Sequence, residues 1–233
     1  MLNTRVFKQS LLRTAPVMVG YLVLGFAFGL LLQNRGFHPL WALASSLFVY
    51  AGSMQFVLVG LLAQKAPLTT VVLTTLLVNS RHLFYGLSFV ERFKTINWRR
   101  FYLIFALTDE TYALFNTVSA VGSKEDQDDL YFYMALLDQL YWVVGSVVGS
   151  LVGSFISFNS DGIEFAMTAL FTVIVVEQFL NNKNHTGMVI GFCSAILSLI
   201  ILGPNNFLLG ALTVTLILLL VFKNKVEPKN GRS

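Results

Sequence analysis

The chain is a succession of apolar runs, and their length constrains the fold more than any motif does. Eight can be marked, roughly Ala15–Gln33, Pro39–Ala63, Pro67–Val90, Phe101–Val121, Leu130–Phe155, Ile163–Leu180, Thr186–Leu202 and Phe207–Phe222. A helix that crosses a bilayer core about 30 Å thick needs about 20 predominantly apolar residues. The apolar residues come in blocks rather than at the period of a half-buried helix or strand. Only 12% of the chain is charged, against about 25% in soluble domains. The expectation is an all-α integral membrane protein with about six to eight membrane segments.

On this reading residues 1–14 form a cytoplasmic N-terminal segment and 223–233 a polar tail. Residues 15–222 form a single transmembrane domain, divisible into halves 15–121 and 130–222. Arg5, Lys8 and Arg13 ahead of the first run look like the start of a signal peptide. The run is too long for one, however, and ends in Gln33-Asn34-Arg35 without a small-residue cleavage site, so a retained first helix is expected. Lys and Arg gather near the termini and in the loop Glu91–Arg100. That pattern suits topology control and contact with anionic lipid, and it offers no basic surface for nucleic acid. Cys193 is the single cysteine, which excludes an intrachain disulfide.

Charge bias tests the count of crossings. With the basic N-terminus in the cytoplasm, three full crossings would put Glu91–Arg100 outside, against the positive-inside rule. A third run that dips in and returns, turning at Asn79–His82, places that loop inside and the acidic loop Gly122–Asp129 outside. The same argument makes Thr186–Leu202 an incomplete crossing and returns the tail to the cytoplasm. Two inverted repeats, each with three crossings and one re-entrant or broken segment, satisfy this count. Gly20, Gly25 and Gly29 echo Gly145, Gly149 and Gly153, and Gln55-Phe56 echoes Glu164-Phe165. Membrane helices are rich in glycine in any case, and both glycine stripes most simply mean close helix packing.

The polar residues inside the runs carry the chemistry. Asn79-Ser80-Arg81-His82 follows about 18 Å of apolar helix counted from Pro67. An arginine at that depth costs at least about 2.5–3.5 kcal/mol. It serves either as an anion site with Asn79 and His82 beside it or as half of a structural ion pair. Asp109 and Glu110 sit in the middle of the fourth run. Neighbours on a helix diverge by about 100°, so one can pair with Arg81 while the other exchanges a proton, unless both are solvated in a wet vestibule. Asp138 and Gln139, in the fifth run, are a weaker candidate for a helix–helix pair or a second proton site. Glu164 opens the sixth run. Tyr50 and Gln55 could line a pocket, although an isolated glutamine is more often glue between helices. There is no nucleophile elbow, HExxH, Cys/His metal spacing or phosphate loop, so neither an enzyme nor a cofactor is expected.

At these residues the chain resembles the AzlC family, the large subunit of branched-chain amino acid exporters. The resemblance is carried by Pro16, Gly20-Tyr21 and Gly25-Phe-Ala-Phe-Gly29, by Tyr50-Ala-Gly-Ser-Met-Gln-Phe56, by Val78-Asn-Ser-Arg-His82 with Tyr85-Gly86, and by Thr108-Asp-Glu-Thr-Tyr112. Tyr141-Trp142, Gly145, Gly149 and Glu164-Phe-Ala166 also fit, with Glu164 standing where the family more often has Asp. Similarity is thin beyond about Phe171. The resemblance implies an inner-membrane secondary transporter, working with a small AzlD-type subunit, that exports valine, leucine, isoleucine and sometimes methionine along the membrane gradient. The residues agree in kind. A zwitterion needs a cation or helix N-terminus for its carboxylate, a carboxylate for its ammonium, and an apolar pocket. Arg81, Asp109 or Glu110, and the surrounding Phe, Leu and Met residues supply these, with protons exchanged at the remaining carboxylate. The competing readings are a channel or facilitator for another small zwitterion, and a non-transporting membrane scaffold.

Overall fold

The computed structural model describes residues 4–94, 96–118, 123–155, 172, 175–176, 179–180, 185–203 and 207–222. Among them every regular element is a helix. In chain order these are α1 (Thr4–Asn34), α2 (Pro39–Phe48), α3 (Gly52–Ala63), α4 (Leu68–Phe93), α5 (Arg99–Phe105), α6 (Asp109–Thr117), α7 (Lys124–Phe155), α8 (Thr186–Leu202) and α9 (Phe207–Val221). The chain divides into two compact units, one of residues 1–63 and 79–165, the other of 64–78 and 166–233.

The first unit is built on α1 and α7, of 31 and 32 residues, both long and apolar enough to cross a membrane. They run parallel. Thr14 Oγ1 lies 3.2 Å from Tyr141 Oη, and further along both helices Ser150 Oγ donates to Gln33 Oε1 at 3.3 Å. Backbones meet between these points. A methyl group on Gly29 would fall 2.0 Å from the Ser146 carbonyl oxygen, and one on Gly149 2.1 Å from that of Phe26. Gly25 and Gly145 are nearly as tight, while Gly153 faces the Gln33 side chain. With no hydrophobic force between helices in lipid, such close backbone packing is what holds them together. Gly20 takes no part: it is exposed, and a methyl there meets nothing within 4 Å. Leu140, Val144, Val148 and Leu151 form an exposed apolar stripe on α7, as a lipid-facing surface requires.

The parallel pair corrects one expectation. An inverted repeat beginning at Leu130 would set α7 antiparallel to α1. The two glycine stripes are instead opposite sides of one interface, so an odd number of crossings lies between them.

Two helical hairpins fill the space. In the first, His38 caps α2 by accepting from the Leu40 N–H at 3.2 Å, with Pro39 at the first helical position, where its missing N–H costs nothing. The chain turns at Val49–Ala51, where Tyr50 takes φ 41°, a conformation rare for a bulky residue. Then α3 returns, so that Gln55 faces Ser45 and Ser46 across the turn and Phe56 packs on Phe28. The second hairpin enters from the opposite end, where Arg99 pairs with Asp129. It reaches Asp138–Gln139 at Tyr102 and Thr111, and it comes back to Tyr131 at Phe115, ring centroids 4.6 Å apart.

The second and fourth apolar runs, not the third, are therefore the broken ones. The third run is continuous helix, 26 residues in α4 or about 39 Å, with no re-entrant turn at Asn79–His82. Polar side chains do not break a helix whose backbone bonds are internal. Thr75 and His82 spend theirs on the carbonyls of Val71 and Asn79 in the preceding turn.

The ends also differ from expectation. Phe7 packs against Tyr133, Arg92 lies over the Tyr131 ring and Arg99 pairs with Asp129. The basic N-terminus and the basic loop share an end, as the charge argument required. The acidic start of α7 lies there too rather than opposite. Acidic residues weigh little in topology, and here they neutralise the basic loop.

In the second unit α8 ends at Gly203 with φ 70° and ψ 174°, a backbone conformation that only glycine adopts without strain. Helix α9 then folds back so closely that a methyl on Gly210 would fall 2.3 Å from Leu202 Cδ1.

Candidate functional site

The two hairpins meet tip to tip beside the middle of α7. The Tyr50 and Phe105 rings lie 6.2 Å apart. Each tip offers a half-helix N-terminus, at Gly52 of α3 and Asp109 of α6, and a half-helix C-terminus, at Phe48 of α2 and Phe105 of α5. Their partial charges converge at the depth where broken membrane helices bind substrates and ions.

Gln139 joins the tips. Its Nε2 donates to the Leu47 carbonyl at 3.0 Å, satisfying an orphan group in the last turn of α2, and its Oε1 accepts from Tyr102 Oη at 2.7 Å. Gln139→Leu removes both part-buried bonds and takes the side-chain donor from the Leu47 carbonyl. The expected cost is about 2 kcal/mol, read as an earlier unfolding transition of the detergent-solubilised protein. A transition unchanged from wild type would show that the hairpins do not depend on this bridge.

Around the tips lies a run of polar atoms. The Tyr21 hydroxyl donates to Glu110 Oε2 at 2.6 Å and lies 2.7 Å from Thr108 Oγ1. Thr108 is the N-cap of α6, its Oγ1 accepting from the Thr111 N–H at 3.3 Å. Thr111 Oγ1 donates to Asp138 Oδ2 at 2.9 Å. Asp138 is 0% exposed. Its Oδ1 and the Tyr50 hydroxyl are buried without a hydrogen-bond partner among the described residues. Orphaned buried polar atoms are uncommon in a native interior, and a carboxylate oxygen with no partner can receive an ammonium group or a proton.

The sequence candidates fall into four groups. Tyr50 and Glu110 belong to the cluster just described, and Asp109 occupies the same first turn of α6. Gln55, 0% exposed, is a brace: its Oε1 accepts from Trp142 Nε1 at 2.9 Å and its Nε2 reaches Ser45 and Ser46. Asn79 and His82 lie on α4, where His82 packs edge-on against Tyr85 and Tyr85 stacks on Tyr112 of α6 at 4.5 Å. Arg81 shares that turn of α4, but its side chain lies outside the described residues, as does all of Glu164. Sequence reasoning passed over Tyr21 and Thr111 and ranked Asp138 low. The available signal was Tyr21 lying four residues before Gly25, on the packed face of α1.

A cavity of about 510 Å³ lies elsewhere, lined by Gly86, Leu87, Val90, Phe93 and Ile104 with Lys94 and Arg100. It includes none of the residues at the tips. Among the described residues no cluster of His, Cys, Asp and Glu could hold a metal ion.

Comparison with known proteins follows the same line. The family described as AzlC protein matches residues 16–156. An uncharacterized membrane protein of Helicobacter pylori strain J99 is 43% identical over 223 residues, 96% of this chain and 97% of that protein. The branched-chain amino acid transport protein AzlC of Bacillus subtilis strain 168 is 35% identical over 221 residues, 95% of this chain and 87% of its own length. The inner membrane protein YgaZ of Escherichia coli K12 is 28% identical over 193 residues, 78% of this chain and 77% of its own. No solved structure matches the chain.

Proposed function

The chain belongs to the AzlC family, and from that premise we propose that it exports branched-chain amino acids, with methionine a further substrate, in exchange for protons. That it is a membrane transport protein follows from the family and from the named Bacillus relative. The observation that carries the finer reading is the meeting of two half-helix hairpins around the buried Asp138 and the half-buried Glu110. Asp138 Oδ1, buried without a partner among the described residues, suits a substrate ammonium, and the Tyr50 hydroxyl offers a second oxygen. The α3 and α6 N-termini and Arg81, with Asn79 and His82 in the same turn of α4, suit its carboxylate. The aliphatic side chain needs an apolar wall, which Phe105 supplies at the tip. Glu110 or Asp109 exchanges the proton, and Glu164 stands as a further acidic candidate. A small AzlD-type membrane subunit completes the transporter in the cytoplasmic membrane. The end that carries the N-terminus and the basic loop faces the cytoplasm.

The test is efflux of radiolabelled leucine from preloaded cells with the small subunit co-expressed. Arg81→Ala, at matched abundance, is expected to slow efflux at least about tenfold, equivalent to about 1.4 kcal/mol. Equal efflux from both would remove Arg81 from the transport site. Efflux that survives collapse of the proton gradient would favour a facilitator, for which the same polar midplane would serve.

A further inference from the structure

We propose that Glu110 and Asp138 hold one shared proton, passed between them along three hydroxyls contributed by Tyr21, Thr108 and Thr111. The chain is unbroken. Glu110 Oε2 and Tyr21 Oη are 2.6 Å apart, Tyr21 Oη and Thr108 Oγ1 2.7 Å, Thr108 Oγ1 and Thr111 Oγ1 3.1 Å, and Thr111 Oγ1 and Asp138 Oδ2 2.9 Å. Five oxygens thus make four contacts.

Counting protons decides the state of the array. Each hydroxyl brings one proton, and an ionised carboxylate brings none. Three protons cannot fill four contacts. With both carboxylates ionised, one pair of oxygens would face each other lone pair to lone pair at hydrogen-bonding distance. One further proton, on either carboxyl, completes the array. If Glu110 carries it, every link donates towards Asp138. If Asp138 carries it, every link donates towards Glu110. The two states interconvert when each O–H bond breaks as the next one forms. One proton leaves one carboxyl, one arrives at the other, and no hydroxyl is left charged. The Thr111 N–H, bonded to Thr108 Oγ1 at 3.3 Å, holds the middle of the chain in both states.

The two ends differ. Glu110 is half-buried, whereas Asp138 is fully enclosed, so the proton enters at Glu110 and is stored at Asp138. The titratable groups facing Asp138 are Tyr50 from the first hairpin, Tyr102 from α5 and Glu110 from α6. Tyr21 from α1 bonds Glu110, and Asp109 precedes it in the first turn of α6. That the shared proton drives export rests on the reading above; the proton count does not.

Infrared spectroscopy of the full-length protein in lipid vesicles, following the protonated-carboxyl stretch in light and heavy water, tests this. The wild type is expected to show one such band near neutral pH. Both Glu110→Gln and Asp138→Asn are expected to abolish it. In either variant the new amide N–H supplies the fourth donor and the remaining carboxyl ionises. Thr111→Val cuts the chain, so adding Glu110→Gln in that background should leave the Asp138 signal unchanged; Thr111→Ser should restore the coupling. A wild type without the band, a band removed by only one of the two carboxyl substitutions, or a band surviving both, would overturn the proposal. A shared band in a protein that exports no leucine would overturn the export reading alone, and normal export without a shared band would overturn the shared proton alone.

Discussion

Gly149→Ala is expected to abolish accumulation of the folded protein, and Gly29→Ala likewise, while Gly20→Ala leaves it unharmed. The added methyl at Gly149 falls 2.1 Å from the Phe26 carbonyl oxygen, and at Gly29 it falls 2.0 Å from the Ser146 oxygen and 2.5 Å from the Ser150 nitrogen. These are backbone atoms within helices and cannot rotate away. Relief requires α1 and α7 to separate along their shared length, breaking the Thr14–Tyr141 and Gln33–Ser150 contacts as well. Overpacking a core usually costs about 1–3 kcal/mol when side chains can adjust. Here they cannot, so a cost above about 3 kcal/mol is expected, a large share of a total stability of about 5–15 kcal/mol. Size-exclusion chromatography of a fluorescent fusion reads the result as loss of the monodisperse peak. Gly20→Ala meets open space and should gain slightly from helix propensity, by up to about 1 kcal/mol. A wild-type peak from Gly149→Ala would mean that the two helices do not approach this closely.

The second large effect is expected at Trp142. Its indole is buried, lies beside Tyr21, Phe28 and Phe56, covers Gly52 at the start of α3 and donates to Gln55 Oε1. Trp142→Ala opens a cavity under the first hairpin and orphans the Gln55 oxygen. A loss of about 3 kcal/mol is expected, the lower end of the range for a large aromatic in a core. Lipid rather than water surrounds the unpacked helices, so the transfer contribution is small and lost contact dominates. Trp142→Phe keeps most of the packing and removes only the bond, for about 1–3 kcal/mol. Thermal unfolding in detergent should therefore rank wild type above Trp142→Phe above Trp142→Ala. Equal loss from both variants would assign the whole effect to the hydrogen bond.

Part of the candidate site was legible in the sequence, and the reason is energetic. Polar groups inside an apolar run are costly enough to be noticed one by one, so Asp109, Glu110 and Tyr50 could be singled out before any fold was known, as could Arg81, whose side chain lies outside the described residues. Asp138 ranked low because a lone acid eight residues into a run can pair with a neighbouring helix as readily as it can carry a proton. Tyr21 and Thr111 were missed because Tyr and Thr are ordinary in membrane helices; only their distances to Glu110 and Asp138 give them meaning. Gln55 shows the converse. It was noticed for its polarity, yet in the structure it braces a hairpin.

What the sequence determined by itself is the class: an all-helical membrane protein whose basic N-terminus and basic loop lie at one end. Hydropathy and charge bias add up residue by residue and need no partner. Which runs cross and which turn back was decided by tertiary structure. Pro39–Ala63 and Phe101–Val121 are each long enough for one crossing or for two half-length helices. The difference is a single turn, at Val49–Ala51 or at Ala106–Thr108. The half-helix ends at those turns expose backbone groups that lipid cannot satisfy. They persist because other segments supply what lipid lacks: Gln139 bonds the Leu47 carbonyl, Tyr21 contacts the Thr108 cap, and the paired glycines bring α1 and α7 close enough for both to reach.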